Sequence, residues 1–185
     1  MALTYSFMLP LGTSLPRFSL LNTLSNEEYN SEILFNGKPT LIMVICNHCP
    51  YVIHYHNEIQ RIYNDYKLGL NFIAISSNDV SSYPMDNPIE MKKLFISLEL
   101  DFPYLYDECQ TLAKELKAAC TPEFYLFDKN QELYYRGRMD NSSPGNIHKV
   151  TGSDLRFAII SSLSGKILST KQQPSMGCSI KWKKT

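Results

Sequence analysis

The chain has 185 residues, 44% of them hydrophobic and 19% charged, and its 18 basic and 18 acidic side chains leave a formal net charge of zero. That length fits a single domain over residues 1–185, with a core large enough to need no covalent staples. The charge balance excludes a global basic field that would draw in nucleic acid or an anionic membrane, and no apolar run approaches the roughly 20 residues that span a bilayer.

Residues 1–38 are rich in Pro, Gly, Ser and Asn and read as a loose lead-in with a small hairpin. Leu41-Ile42-Met43-Val44-Ile45 is a continuous apolar run ending at Cys46, as expected of a strand buried on both faces. Pro50 then opens a helix, since its missing N–H costs nothing in the first turn. Val52, Tyr55, Ile59, Ile62 and Tyr66 carry that helix at helical spacing, and Gly69 closes it. Phe72-Ile73-Ala74-Ile75-Ser76 is a second buried strand. Asn87-Pro88-Ile89-Glu90 predicts a capped helix to about Leu98, with Glu90 reaching back to the cap.

Phe102-Pro103-Tyr104-Leu105 is a short extended piece, and Asp107-Glu108-Cys109-Gln110 predicts a second capping box opening a helix to about Lys117. Phe124-Tyr125-Leu126-Phe127 and Leu133-Tyr134-Tyr135-Arg136 are strands joined by the turn Asp128-Lys129-Asn130. Thr151-Gly152-Ser153-Asp154 caps a last helix to about Leu163, and residues 164–185 read as a C-terminal tail ending in the basic run Lys181-Trp182-Lys183-Lys184. The order β-α-β-α-(β)-α-β-β-α implies an α/β fold, parallel in its first half and antiparallel after the hairpin.

Five cysteines in a chain of this size do not make a disulfide scaffold. Two of them form the pair Cys46-Asn47-His48-Cys49 at a strand-to-helix junction. There the unpaired N–H groups of a helix start favour a thiolate, the species that attacks disulfides. Two intervening residues bring the second sulfur into bonding range, so Cys49 can resolve a mixed disulfide formed at Cys46. An imidazolium at His48 would stabilise the thiolate further, which predicts a couple less reducing than a thioredoxin with Gly-Pro between its cysteines. Half of a zinc site is the competing reading, but a closed site needs two more ligands. His48 lies between the cysteines, and His54 and His56 point to roughly opposite helix faces. No metal is therefore assigned.

The segment from Val44 to Val52, ending Cys-Asn-His-Cys-Pro-Tyr-Val, resembles the active site of thioredoxin-like redoxins of the AhpC/TSA type, and more narrowly of their peroxiredoxin-like group. Similar matches run through Phe102–Asp107, Ala119–Asp128, Tyr135–Arg138 and Pro174–Lys183, and Leu15–Leu20 resembles the first redoxin strand. The resemblance implies a thioredoxin-like fold: a central mixed sheet flanked by helices, with an N-terminal redoxin extension. It also implies that Pro122 is a cis-proline facing the cysteines, with Thr121 and Pro122 shaping a substrate groove. Peroxiredoxins proper carry Pro-x-x-x-Thr-x-x-Cys. Counting back from Cys46 finds Pro39 in place but Met43 where the threonine belongs, so dithiol exchange fits the residues better than peroxide reduction.

Cys120 and Cys178 are candidate auxiliary thiols, Cys120 otherwise serving as a small buried hydrophobe. Cys109 reads as structural, and Arg136 and Arg138 as a solvated strand face. The expectation is a thiol–disulfide oxidoreductase with no cofactor, acting on a protein or small-molecule disulfide and served by an unidentified reductant. A thiol peroxidase or a copper-binding redoxin-like protein are the alternatives. A homodimer is left open. With no recognisable leader peptide, a cytoplasmic location is expected.

Overall fold

The computed structural model describes residues 3–168 and 171–184. Its main sheet has seven strands in the order β3-β2-β6-β5-β4-β8-β9. These are β2 (Ser19–Asn22), β3 (Glu27–Asn30), β4 (Thr40–Val44), β5 (Asn71–Ser76), β6 (Tyr104–Tyr106), β8 (Glu123–Phe127) and β9 (Leu133–Gly137). β4, β5 and β6 are parallel, β8 is antiparallel to β4, and β9 is antiparallel to β8. A three-stranded antiparallel sheet sets β10 (Met176–Ser179) between β1 (Leu3–Tyr5) and β7 (Cys120–Thr121).

Alternation along β4 divides the core. Leu41 and Met43 face the side packed by α1 (Pro50–Ile53), α2 (His56–Tyr66), α3 (Pro88–Ser97) and α5 (Ser153–Leu163). Ile42 and Val44 face the other side, closed by α4 (Thr111–Glu115), Leu9, Leu15 and Leu34. All five residues of β4 are buried, as the unbroken apolar run requires of a central strand. The central mixed sheet with helices on both faces is the thioredoxin-like architecture. No helix among the described residues is long and apolar enough to cross a membrane.

Several elements depart from the sequence reading. The single helix expected after Pro50 is two, α1 and α2, interrupted at His54–Tyr55. Both junction side chains are held by the loop at 140–142: the Tyr55 hydroxyl donates to the Ser142 carbonyl at 2.6 Å, and His54 Nε2 lies 3.0 Å from Ser142 Oγ. The Asn87 cap forms as expected, accepting from the Ile89 and Glu90 amides, but the Glu90 carboxylate turns forward to Lys93 instead of back. The helix expected to open at Asp107 starts only at Thr111, after Gln110 in the left-handed region, although the Asp107 carboxylate still accepts from the Leu112 and Ala113 amides.

The small hairpin expected in the lead-in at 1–38 forms from β2 and β3, and it extends the sheet beyond β6. The segment resembling the first redoxin strand enters the sheet only at Ser19. The expected tail at 164–185 carries β10, whose Gly177 and Cys178 are buried.

Candidate active site

Cys46 follows β4 after Ile45, whose amide donates to the Ile75 carbonyl and prolongs the parallel pairing. The pair thus sits at the carboxyl end of the central parallel strands, where open α/β sheets place their sites. Cys49 is the N-cap of α1 with extended backbone, its carbonyl accepts from the Val52 and Ile53 amides, and Pro50 occupies the first turn. Because α1 has only four residues, it acts on the sulfurs through its unpaired N–H groups more than through a long dipole.

The Thr121–Pro122 bond is cis, as the resemblance implies. Thr121 meets both sulfurs. Its hydroxyl lies 3.4 Å from Cys46 Sγ, and its carbonyl accepts from the Cys49 thiol at 3.1 Å. Both cysteines are buried, Cys46 with 1% of its surface exposed and Cys49 with none. A cavity of about 290 Å³ opens beside Pro122, lined in part by Tyr5, Tyr55, Arg138, Asp140 and Met176.

Behind the Asn47-His48 turn stands Asp86, which no sequence signal marks. It is fully buried. Its carboxylate accepts from the Asn47 amide and from Asn78 Nδ2, both at 2.8 Å. It also lies 2.7 Å from His48 Nδ1, an ion pair when the imidazole is protonated, though the N–H direction is out of line for a hydrogen bond. Tyr83 stacks on the His48 ring at 5.5 Å between centroids, and the Tyr104 hydroxyl donates to Asn47 Oδ1. His48 is therefore next to Cys46 as expected, with a buried carboxylate against its ring.

That carboxylate matters to the thiols. Cys46 is held well above the usual thiol range by its hydrogen bond to Cys49, by burial and by Asp86. Cys49 is brought down to about 4 by the proton that Cys46 donates, against burial, with further help from Cys178 and Thr121. The two sulfurs titrate as one unit. A buried acid faces Cys46, while Cys49 is met by the Thr121 carbonyl and by Cys178.

Cys178 enters through β10. It is opposite Thr121 in the antiparallel register, and hydrogen bonding from it is among the influences that bring the Cys49 thiol down. Cys120 is also buried, but its thiol faces the Glu123 carboxylate at 3.8 Å and the Pro122 carbonyl at 3.9 Å. Burial and the Glu123 charge push it up, which suits a structural thiol. Cys109 is exposed. Neither strand arginine reaches the pair: Arg136 donates to Gln172 and Arg138 pairs with Asp154.

Cys46 Sγ, a His48 ring nitrogen and an Asp86 oxygen lie within 4.8 Å of one another, a set that could hold a cation. His48 and Asp86 are already in contact at 2.7 Å. Two ligands of a tetrahedral zinc bonded at about 2.0–2.1 Å would stand roughly 3.3 Å apart, so the contact fits a paired acid and base better than a metal centre.

The Redoxin family model matches residues 10–152. No curated protein is similar to the chain by sequence. Among solved structures, an uncharacterized conserved protein from Geobacillus kaustophilus is 46% identical with a TM-score of 0.97, covering 100% of this chain and 98% of its own. A hypothetical protein from Sinorhizobium meliloti is 36% identical with a TM-score of 0.94, covering 97% and 98% respectively. At 14% identity the likeness is of fold alone: a secreted Mycobacterium tuberculosis disulfide oxidoreductase homologous to E. coli DsbE superposes with a TM-score of 0.60 over 78% of this chain and 95% of its own. The family match over most of the length, on a thioredoxin-like frame with its cis-proline in place, establishes that the chain belongs to the Redoxin family.

Proposed function

We propose that the protein is a thiol–disulfide oxidoreductase working through a Cys46/Cys49 dithiol–disulfide couple. The observation that carries this reading is Thr121, whose hydroxyl and carbonyl meet the two sulfurs across the cis peptide. Cys46 precedes the helix and lies beside the Thr121 hydroxyl, and Cys49 caps the helix behind it, so Cys46 is the sulfur that meets substrate. Its proton passes to Cys49, and the Cys46 thiolate attacks a substrate disulfide. A mixed disulfide forms at Cys46 and one substrate thiolate leaves. Cys49 passes its proton to the departing substrate thiolate and, helped to ionise by Cys178, then attacks the Cys46 sulfur. The second substrate thiolate leaves and Cys46–Cys49 closes as a disulfide. An external dithiol reverses the sequence.

Thr121 and Pro122 shape the groove, and the cavity beside Pro122 offers room for a substrate group next to the scissile bond. Asp86 fixes the turn that presents Cys46 and opposes its ionisation, so it works against the thiolate-stabilising role of His48. The thioredoxin-like oxidoreductases that share the fold support the same chemistry. Met43, buried in the core, takes the place of the threonine that peroxiredoxins use, which favours dithiol exchange over peroxide reduction.

The test is capture. Cys49→Ser should retain substrate as a mixed disulfide at Cys46, released by dithiothreitol and visible by mass. Absence of any adduct at Cys46, with exchange activity intact in Cys46→Ser, would overturn the assignment. Stoichiometric peroxide consumption with a sulfenic acid at one cysteine would point to a peroxidase instead.

A further inference from the structure

β10 is pressed against the active-site turn. A methyl group on Gly177 would lie 2.7 Å from the Thr121 carbonyl carbon and would overlap its oxygen, so only glycine admits this approach. The next residue, Cys178, is buried and is paired with Thr121 in register. The same Thr121 carbonyl accepts from the Cys49 thiol, which brings Cys178 and Cys49 to one peptide unit. Hydrogen bonding from Cys178 is among the influences that bring the Cys49 thiol down. Cys49 therefore has two sulfur neighbours, Cys46 on its own turn and Cys178 on the C-terminal strand.

We propose that Cys178 is a third redox thiol, able to take Cys49 from the Cys46–Cys49 disulfide into a buried Cys49–Cys178 disulfide. The inference rests on the reading of Cys46/Cys49 as a redox couple. The step is an internal exchange. The Cys178 sulfur attacks Cys49 Sγ, the Cys49–Cys178 bond forms and the Cys46–Cys49 bond breaks. The Cys178 proton ends on Cys46 Sγ, and no electrons enter or leave. The product returns Cys46 to the thiol state while the oxidising equivalent is kept on Cys49 and Cys178. Cys46 can then form a mixed disulfide with a small thiol or a protein without competition from Cys49.

Burial, with the neighbouring Cys49, holds the Cys178 thiol up at about 12, while the Lys181 ammonium pulls the other way. The contribution from an ionised Cys49 vanishes once Cys49 is in a disulfide. Exchange onto Cys178 is therefore the slower step, following closure of Cys46–Cys49.

The test uses the full chain oxidised with excess oxidised glutathione, quenched in acid, denatured and alkylated, and then mapped by peptide mass. In Cys46→Ser the expected product is an intramolecular Cys49–Cys178 cross-link, with glutathione on Cys49 as its precursor. In the oxidised wild-type chain, a fraction alkylated at Cys46 with Cys178 protected reports the inner disulfide directly and needs no variant. Cys178→Ser should form only Cys46–Cys49. If the wild type and Cys178→Ser close Cys46–Cys49 but Cys46→Ser gives no cross-link and Cys178 is always alkylated in the wild type, the third-thiol inference fails alone. If Cys46–Cys49 closes in neither, the underlying couple fails with it.

Discussion

Gly177→Ala tests whether the C-terminal strand is built into the active site. The added methyl would stand 2.7 Å from the Thr121 carbonyl carbon, against an ordinary carbon contact of about 3.5–4.0 Å. β10 must retreat by about 1 Å or push the Thr121–Pro122 turn away. Overpacking of this kind costs about 1–3 kcal/mol, and loosening one β10–β7 ladder bond adds about 1 kcal/mol. A total near 3 kcal/mol lowers the Tm of a chain this long by roughly 6–12 °C. The assay is thermal or urea unfolding of the reduced protein. It is paired with the alkylation rate of Cys49, whose Cys178 donors move away with β10. An unfolding midpoint within about 1 °C of wild type, well below the shift expected from overpacking, together with unaltered Cys49 reactivity, would refute the close packing of β10 on the turn.

Other perturbations separate the remaining contacts. Asp86→Asn removes a buried charge within 4.8 Å of Cys46. At an effective dielectric near 20 a charge at that distance is worth about 3.5 kcal/mol before solvent screening, so iodoacetamide should label Cys46 at least about tenfold faster at neutral pH and the couple should become more oxidising. An unchanged labelling rate would remove Asp86 from the account. Burial raises the Glu123 carboxyl above its ordinary value. Its contribution to stability is therefore fully present below the unfolded pKa and is lost as pH rises through the folded one. Glu123→Gln should accordingly gain stability over wild type at pH 8 and lose that gain toward pH 4, read by urea unfolding at both pH values.

Burial pushes the Asp140 carboxyl up, but hydrogen bonds from Ser142, Thr151 and Gly152 outweigh it and hold it below the usual range. The stability that Asp140 contributes is present above its unfolded pKa and falls away as pH drops through the folded one. Asp140→Ala should cost roughly 2–4 kcal/mol at pH 7, mostly from orphaned buried amides, with the deficit shrinking in acid. Arg156→Ala should cost about 3 kcal/mol in urea unfolding, because it removes the main partner of the buried Glu58 carboxylate.

What the sequence shows depends on how long each signal is. The apolar run at 41–45, the helical spacing after Pro50 and the Asn87 and Ser153 helix starts give the parallel half and the last helix within a residue or two, since each is several residues of consistent pattern. Thr121-Pro122 is legible only through the family resemblance. β10 leaves no such trace: Met-Gly-Cys-Ser is short, has no alternation, and pairs with a two-residue strand more than fifty positions away. The partner of Cys49 is therefore invisible until the chain is folded. Asp86 is hidden for the same reason, because a single acid in a Pro-Met-Asp turn acquires meaning only when Asn47, His48 and Asn78 converge on it. The break at Tyr55 preserves the apolar phase, so the spacing reads as one helix where the loop at 140–142 makes two.

The central claim is that Cys46 carries exchange through a reversible bond to Cys49. Its most direct measurement is turnover of a small-molecule disulfide by the fully reduced protein under excess dithiol, comparing wild type with Cys46→Ser and Cys46→Ala. The account predicts turnover far below wild type in both variants, leaving at most the slow reaction of the buried Cys49 with Cys178, with a Cys46–Cys49 disulfide accumulating in wild type when the dithiol is withheld. Wild-type turnover in either variant, or an oxidised wild type whose Cys46 and Cys49 both remain thiols, would contradict it.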